Sequence, residues 1–287
     1  MAFLLVKGGV LMDVLSSFHH QVAGENTQNR WVFLHGLMGS GNNWRKIVRA
    51  LQSDRQILTY DQRGHGRSFK PRDGYALEDY AEDLKALLDA LDWQKIVLVG
   101  HSLGGRVAMT FAHLYPERLQ GLVIVDIGPG GHSGAADRTV QLLEMVPTPF
   151  ESKEAAKLYF ETEFPHQALA AGWEKVETLG PYLYSNLIEH ASGEADWRFY
   201  KPGIVASVAR STDRARWDQI EALNRPTLLM RGQSSRYLPR DTFDAMVACN
   251  PCIEGVEISA ADHWVHADQP EQFVAQLQRF NQQLQGG

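Results

Sequence analysis

The stretch Gly100-His101-Ser102-Leu103-Gly104 carries the plainest chemical signal in the chain. A serine hydroxyl is a weak nucleophile at neutral pH and needs a base within hydrogen-bond reach. The G-x-S-x-G spacing suits a serine held on a strained, very tight turn, because glycines two residues before and two after it leave room for the backbone. Such a turn joins a buried strand to a helix. It lifts the hydroxyl above the sheet edge, over free N–H groups that stabilise negative charge. The flanks fit this reading: Ile96 to Val99 is apolar and β-branched, and Val107 to Ala112 is helix-compatible. The competing reading is a glycine-rich turn with a bystander serine, and the rest of the apparatus decides between them. The chain has 11 histidines from which a base could come.

The elements that must position Ser102 follow from the hydrophobic pattern. Trp31 to Leu34, Gln56 to Tyr60, Ile96 to Val99, Leu122 to Val125, Thr227 to Met230 and Cys252 to Ile258 read as strands, most of them short apolar runs. Helices are predicted over Asn42 to Leu51, Leu77 to Leu91, Arg240 to Ala248 and Pro270 to Leu284. Leu15 to Val22 reads as an outer strand. Strands alternating with helices specify a mostly parallel sheet covered on both faces. Residues 130 to 214 break this pattern: they lack strand-like runs, are rich in aromatics and are punctuated by prolines. This stretch reads as a helical cap inserted within a single domain spanning residues 1 to 287.

Composition narrows the function classes. The chain has 287 residues, is 44% hydrophobic and carries a net charge of −6 with no basic cluster, so nucleic-acid binding has no electrostatic support. No apolar run reaches the length of a membrane span. Met1 to Leu11 reads as an edge strand or a leader, with Met12 as an alternative start. The two cysteines, Cys249 and Cys252, have C-x-x-C spacing but follow a predicted helix and precede a strand, the reverse of a thioredoxin-type placement. Two thiols cannot make a four-thiolate zinc site, and their scarcity fits a reducing, cytoplasmic compartment. No metal or other cofactor is implied.

Taken together, His35-Gly36-Leu37, the turn from Asp61 to Gly66, the motif at Ser102 and a late His263 before a terminal helix resemble the α/β-hydrolase superfamily. The resemblance covers nearly the whole chain. It implies the α/β-hydrolase fold and the chain order nucleophile, acid, histidine. Ser102 is then the nucleophile and His263 the base. His35, His65 and His101 match positions that shape loops around the site, whereas His19, His20, His113, His132, His166 and His190 lie on outer or inserted segments, and His266 sits one turn too late. Most relatives carry the acid three residues past a glycine that is Gly232 here, but that position is Ser235. The other location used in the superfamily is the end of the preceding strand, which is Asp126. Its setting, Val125-Asp126-Ile127-Gly128-Pro129, resembles a subgroup of small-acyl esterases. Asp262 is too close in sequence to His263 to fold back onto it.

The resemblance also assigns the two oxyanion-hole donors to the backbone N–H groups of Leu37 and Leu103. Met38 and Tyr182 are expected to line the substrate pocket. A serine at position 102 argues against the dehalogenase and epoxide-hydrolase branches. The resulting expectation is a serine carboxylesterase for small, fairly apolar acyl esters, with a small-molecule ester as its partner. Thioesterases and carbon–carbon bond hydrolases share the same triad, and a catalytically silent binding protein could keep the same fold.

Overall fold

The computed structural model describes residues 3–6, 10–130, 135–174 and 176–286. Its centre is a seven-stranded sheet built from β3 (His20–Ala23), β4 (Arg30–Leu34), β5 (Gln56–Tyr60), β6 (Ile96–His101), β7 (Leu119–Val125), β10 (Thr227–Gly232) and β11 (Ile253–Ile258). The spatial order is β11-β10-β7-β6-β4-β5-β3; only β3 runs antiparallel. Two strands near the start, β1 (Phe3–Val6) and β2 (Val10–Asp13), pair with each other outside this sheet. Residues 1, 2 and 7–9 of the edge-strand-or-leader segment lie outside the described residues. The outer strand expected from Leu15 is shorter than predicted, because α1 (Val14–Ser17) forms first, capped by the Asp13 carboxylate.

The central strands β4, β6, β7 and β10 are largely apolar because both faces are covered, whereas the edge strands β3 and β11 carry polar and exposed positions. Successive side chains point to opposite faces. Val32, Leu34, Leu98, Leu122 and Ile124 enter one core with α3 (Leu77–Ala90) and α4 (Leu103–Leu114). Trp31, Phe33, Val97, Val99 and Val123 enter the other with α2 (Arg45–Leu51) and α12 (Pro270–Gly286). The flanking helices α9 (Trp217–Glu221), α10 (Arg240–Cys249) and the short α11 (Val265–Asp268) complete the layers.

Between β7 and β10 the chain forms α5 (Ala135–Met145), α6 (Lys153–Ala170), α7 (Val176–Ser185) and α8 (Lys201–Thr212). The sequence reading of this stretch needs one correction. It contains an antiparallel hairpin, β8 (Leu187–Glu189) with β9 (Ala195–Trp197). Three-residue strands are too short to show alternation, so the pattern could not reveal them. Pro165 and Pro181 fall inside helices rather than between them. The aromatics of this stretch form a separate core that includes Phe150, Phe160, Phe164 and Trp197, and Met38 from the sheet-side loop joins it. His132 lies outside the described residues.

Candidate active site

Ser102 stands where β6 meets α4, at φ 54° and ψ −118°. This strained backbone survives only because the flanking turn is crowded on every side. A Cβ on Gly100 would lie 2.2 Å from the Gly104 carbonyl oxygen, and one on Gly104 would lie 2.5 Å from that of Leu34. The spacing of the motif is thus a packing requirement at both glycines. The Ser102 N–H donates to the Val125 carbonyl at 3.1 Å, tying the turn to β7.

His263 sits in the loop after β11 and is buried. Its Nε2 is 3.1 Å from Ser102 Oγ, and its Nδ1 is 2.9 Å from Asp126 Oδ2. A carboxylate only accepts, so Nδ1 carries the proton and Nε2 is left to accept from the serine. The ring is held by its surroundings. The Tyr237 ring stacks on it with centroids 3.8 Å apart and planes 20° apart. The His263 N–H donates to Asp262 Oδ1 at 2.8 Å, and His101 Nε2–H donates to the His263 carbonyl at 2.8 Å. Asp262 therefore contacts the backbone of His263, while its ring meets Asp126.

Asp126 follows β7 directly, at φ 54° and fully buried. A buried carboxylate must be hydrogen-bonded, and this one takes three donors. Gly232 N–H donates to Oδ1 at 2.8 Å, while the Ser235 hydroxyl and His263 Nδ1–H both donate to Oδ2. Ser235, at the position where most relatives were expected to carry the acid, instead donates to the carboxylate supplied by the neighbouring strand. Its own oxygen accepts from the Tyr237 N–H at 3.1 Å. Sequence reasoning gave Ser235 and Tyr237 no role; the missing carboxylate at 235 was the available signal.

Leu37 and Leu103 both face the cavity at Ser102. Leu103 opens α4, so its N–H has no partner within the helix. Leu37 lies in a turn closed by the Gly39 N–H on the Gly36 carbonyl at 3.0 Å, with Met38 at φ 60°. A Cβ on Gly36 would lie 3.0 Å from His101 Nδ1 and 3.2 Å from Ser102 Cβ, so a side chain here would press on both neighbours. Tyr182 reaches across from α7 and donates its hydroxyl to the Leu37 carbonyl at 2.9 Å. Burial pushes the Tyr182 phenol well up, so it remains a donor at neutral pH.

Four further histidines, His35, His65, His101 and His266, are buried and held neutral. His35 Nε2 accepts from the Gln62 N–H at 3.0 Å, which leaves its Nδ1–H to donate to the Gly36 carbonyl. Burial pushes His35 down to about 4, and His65 and His266 to about 3. His101 is also driven well down, by burial first and by His263 and His266 next. The Asp61–Gly66 turn is tied to the glycine loop by Asp61, whose Oδ1 accepts from the Gly41 N–H at 2.8 Å.

Two cavities meet at Ser102. One, of about 140 Å³, is walled by His263, Met38, Trp173, Tyr182 and Trp264. The other, of about 560 Å³, runs past Leu103, Ile127 and Val208. Among the described residues no group of three or more histidine, cysteine or carboxylate side chains is placed to hold a metal ion. Among the described residues no helix is long and apolar enough to cross a membrane.

Residues 31–270 match the family described as the alpha/beta hydrolase fold. The chain is 32% identical over 265 residues to the protein named sn-1-specific diacylglycerol lipase ABHD11 of Danio rerio, covering 90% of this chain and 80% of that one. It is 28% identical to Esterase YbfF of Escherichia coli (strain K12), covering 87% and 91%. A solved structure titled "Marine microorganism esterase" superposes with a TM-score of 0.78 at 26% identity, covering 92% of this chain and 99% of that one. The chain belongs to the α/β-hydrolase family, and it is a hydrolase of that family.

Proposed function

We propose that the chain is a serine carboxylesterase that cleaves small acyl esters through an acyl-enzyme. The observation that carries this reading is the continuous hydrogen-bonded line from Ser102 through His263 to Asp126. Ser102 Oγ attacks the ester carbonyl as His263 Nε2 takes its proton. The imidazolium that forms is stabilised by the Asp126 carboxylate, which stays ionised. The Leu37 and Leu103 N–H groups receive the oxyanion, where fixed donors in a water-poor cleft are most effective. His263 then protonates the leaving alcohol. Water enters and attacks the acyl carbonyl as His263 takes its proton, and the intermediate collapses with that proton passing from His263 Nε2 to Ser102 Oγ, which breaks the acyl bond and releases the acid.

The segment from 130 to 214 serves as a cap in this reading. Supporting this, it contributes Tyr182 and Trp173 to the cavity wall and has its own aromatic core. Met38 and Tyr182 contact the ester from the smaller cavity. A cytoplasmic location fits the two free thiols, Cys249 and Cys252. A panel of methyl and 4-nitrophenyl esters and thioesters of increasing acyl length tests the reading. Saturable hydrolysis of short esters, with a pre-steady-state burst of alcohol, is expected. Preference for thioesters throughout, or no turnover of any member, would overturn it.

A further inference from the structure

The larger cavity at Ser102 has a wall that a purely apolar acyl group does not explain. In a chain of net charge −6 it presents three guanidinium groups, Arg106, Arg138 and Arg236, against one carboxylate, Glu174. Two of the three have identifiable partners. Arg236 pairs with Glu174 at 2.8 Å, and Arg138 lies over the Trp173 ring at 4.4 Å. Arg106 is different. Its polar contacts are the Gly128 carbonyl at 3.4 Å and Ser211 Oγ at 3.5 Å, both long. Among the described residues no carboxylate lies within ion-pair distance of it. The neighbouring Arg216, by contrast, has Asp213 at 3.1 Å and three backbone carbonyls. Burial, then Arg216, push Arg106 down to about 10, which leaves it charged at neutral pH. A partly desolvated cation without a counter-charge is costly unless an anion arrives to pair with it.

The position of Arg106 says which part of the substrate would bring that anion. It follows Ser102 by one helical turn, with its N–H donating to the Ser102 carbonyl at 3.2 Å. The leaving alcohol must lie against His263, because His263 Nε2 protonates it. His263 lines the smaller cavity and not the larger one. The acyl chain therefore extends into the larger cavity, past Ile127 and Val208, toward Arg106.

We propose that the preferred acyl group is short and ends in a carboxylate that pairs with Arg106, so that the substrates are half-esters of short dicarboxylic acids. The planar guanidinium suits a carboxylate in a two-point contact. The expectation of a fairly apolar acyl group then holds for its methylene stem and is revised at its end. This proposal rests on the serine-esterase reading above. Hydrolysis of monomethyl glutarate is compared with that of methyl pentanoate, which is similar in length but uncharged. Wild-type kcat/KM should favour the glutarate ester by about tenfold or more. Arg106→Met should lower that ratio by at least about tenfold, and Arg106→Lys should retain part of it. A wild-type ratio at or below one, or a ratio unchanged in Arg106→Met, overturns the proposal. If no ester of either kind is cleaved, the serine-esterase reading fails separately. In that event calorimetric titration of the Ser102→Ala protein with glutarate still decides: binding that Arg106→Met removes supports the carboxylate site, and no binding overturns it.

Discussion

Ser235 donates its hydroxyl to the Asp126 carboxylate, and the oxygen that receives it also faces His263 Nδ1. One buried oxygen atom is thus fixed from two neighbouring strand ends. Asp126→Asn would present an amide to His263 and favour the wrong imidazole tautomer, lowering turnover by up to about 10⁴. Adding Ser235→Asp to that variant should restore part of the loss, because position 235 already reaches the same spot. Steady-state kinetics of the single and double variants check this. Near-normal turnover by Asp126→Asn would remove Asp126 from the mechanism.

The bond from Tyr182 to the Leu37 carbonyl separates two roles of one side chain. Tyr182→Phe keeps the ring in the cavity wall but releases the Leu37 turn, so kcat should fall by roughly tenfold with preference for alcohol size unchanged. Tyr182→Ala removes both and should also shift preference toward esters of bulkier alcohols, since Tyr182 walls the smaller cavity beside His263. Kinetics across a series of alcohol esters of one acid read both effects. Equal behaviour of the two variants would show that the hydroxyl has no role in positioning Leu37.

Four buried neutral histidines, His35, His65, His101 and His266, make the fold acid-sensitive. Each has a folded value below the ordinary 6.5, so the unfolded chain binds the extra protons first. Their contribution is fully present above pH 6.5 and is lost as pH falls toward 4 and below. Asp83 opposes them: burial holds it up to about 6 despite its pairing with Arg63, so it favours the fold as pH falls from 6 toward 3.8. One group against four leaves a net loss, on the order of several kcal/mol by pH 4. Denaturant midpoints measured from pH 7.5 to 4 should decline steadily. A flat profile would contradict the neutral assignment of these rings.

Much of the arrangement around Ser102 was legible because local packing dictates it. The glycines at 100 and 104 mark backbone contacts that any side chain would block, and the central strands such as β6 read clearly because they are buried on both faces. Asp126 was reachable through the family resemblance, which offers the end of the preceding strand once position 235 lacks a carboxylate and matches the Val125-Asp126-Ile127-Gly128-Pro129 setting. What the sequence did not show depends on contacts between distant segments. Tyr237 meets His263, Tyr182 meets Leu37, and Arg106 meets the Gly128 carbonyl and Ser211 only because of what folds around it. The β8–β9 hairpin escaped for the opposite reason, since strands so short carry no pattern of their own.

The most direct test of the central claim, that Ser102 is the nucleophile, is intact-mass measurement after incubation with an organophosphonate ester. One adduct per chain is expected, mapped to Ser102 by peptide sequencing. It should be absent in a folded Ser102→Ala protein whose turnover is reduced by about 10⁴–10⁶. An unlabelled wild-type chain, an adduct on another residue, or wild-type-like turnover by Ser102→Ala would contradict the account.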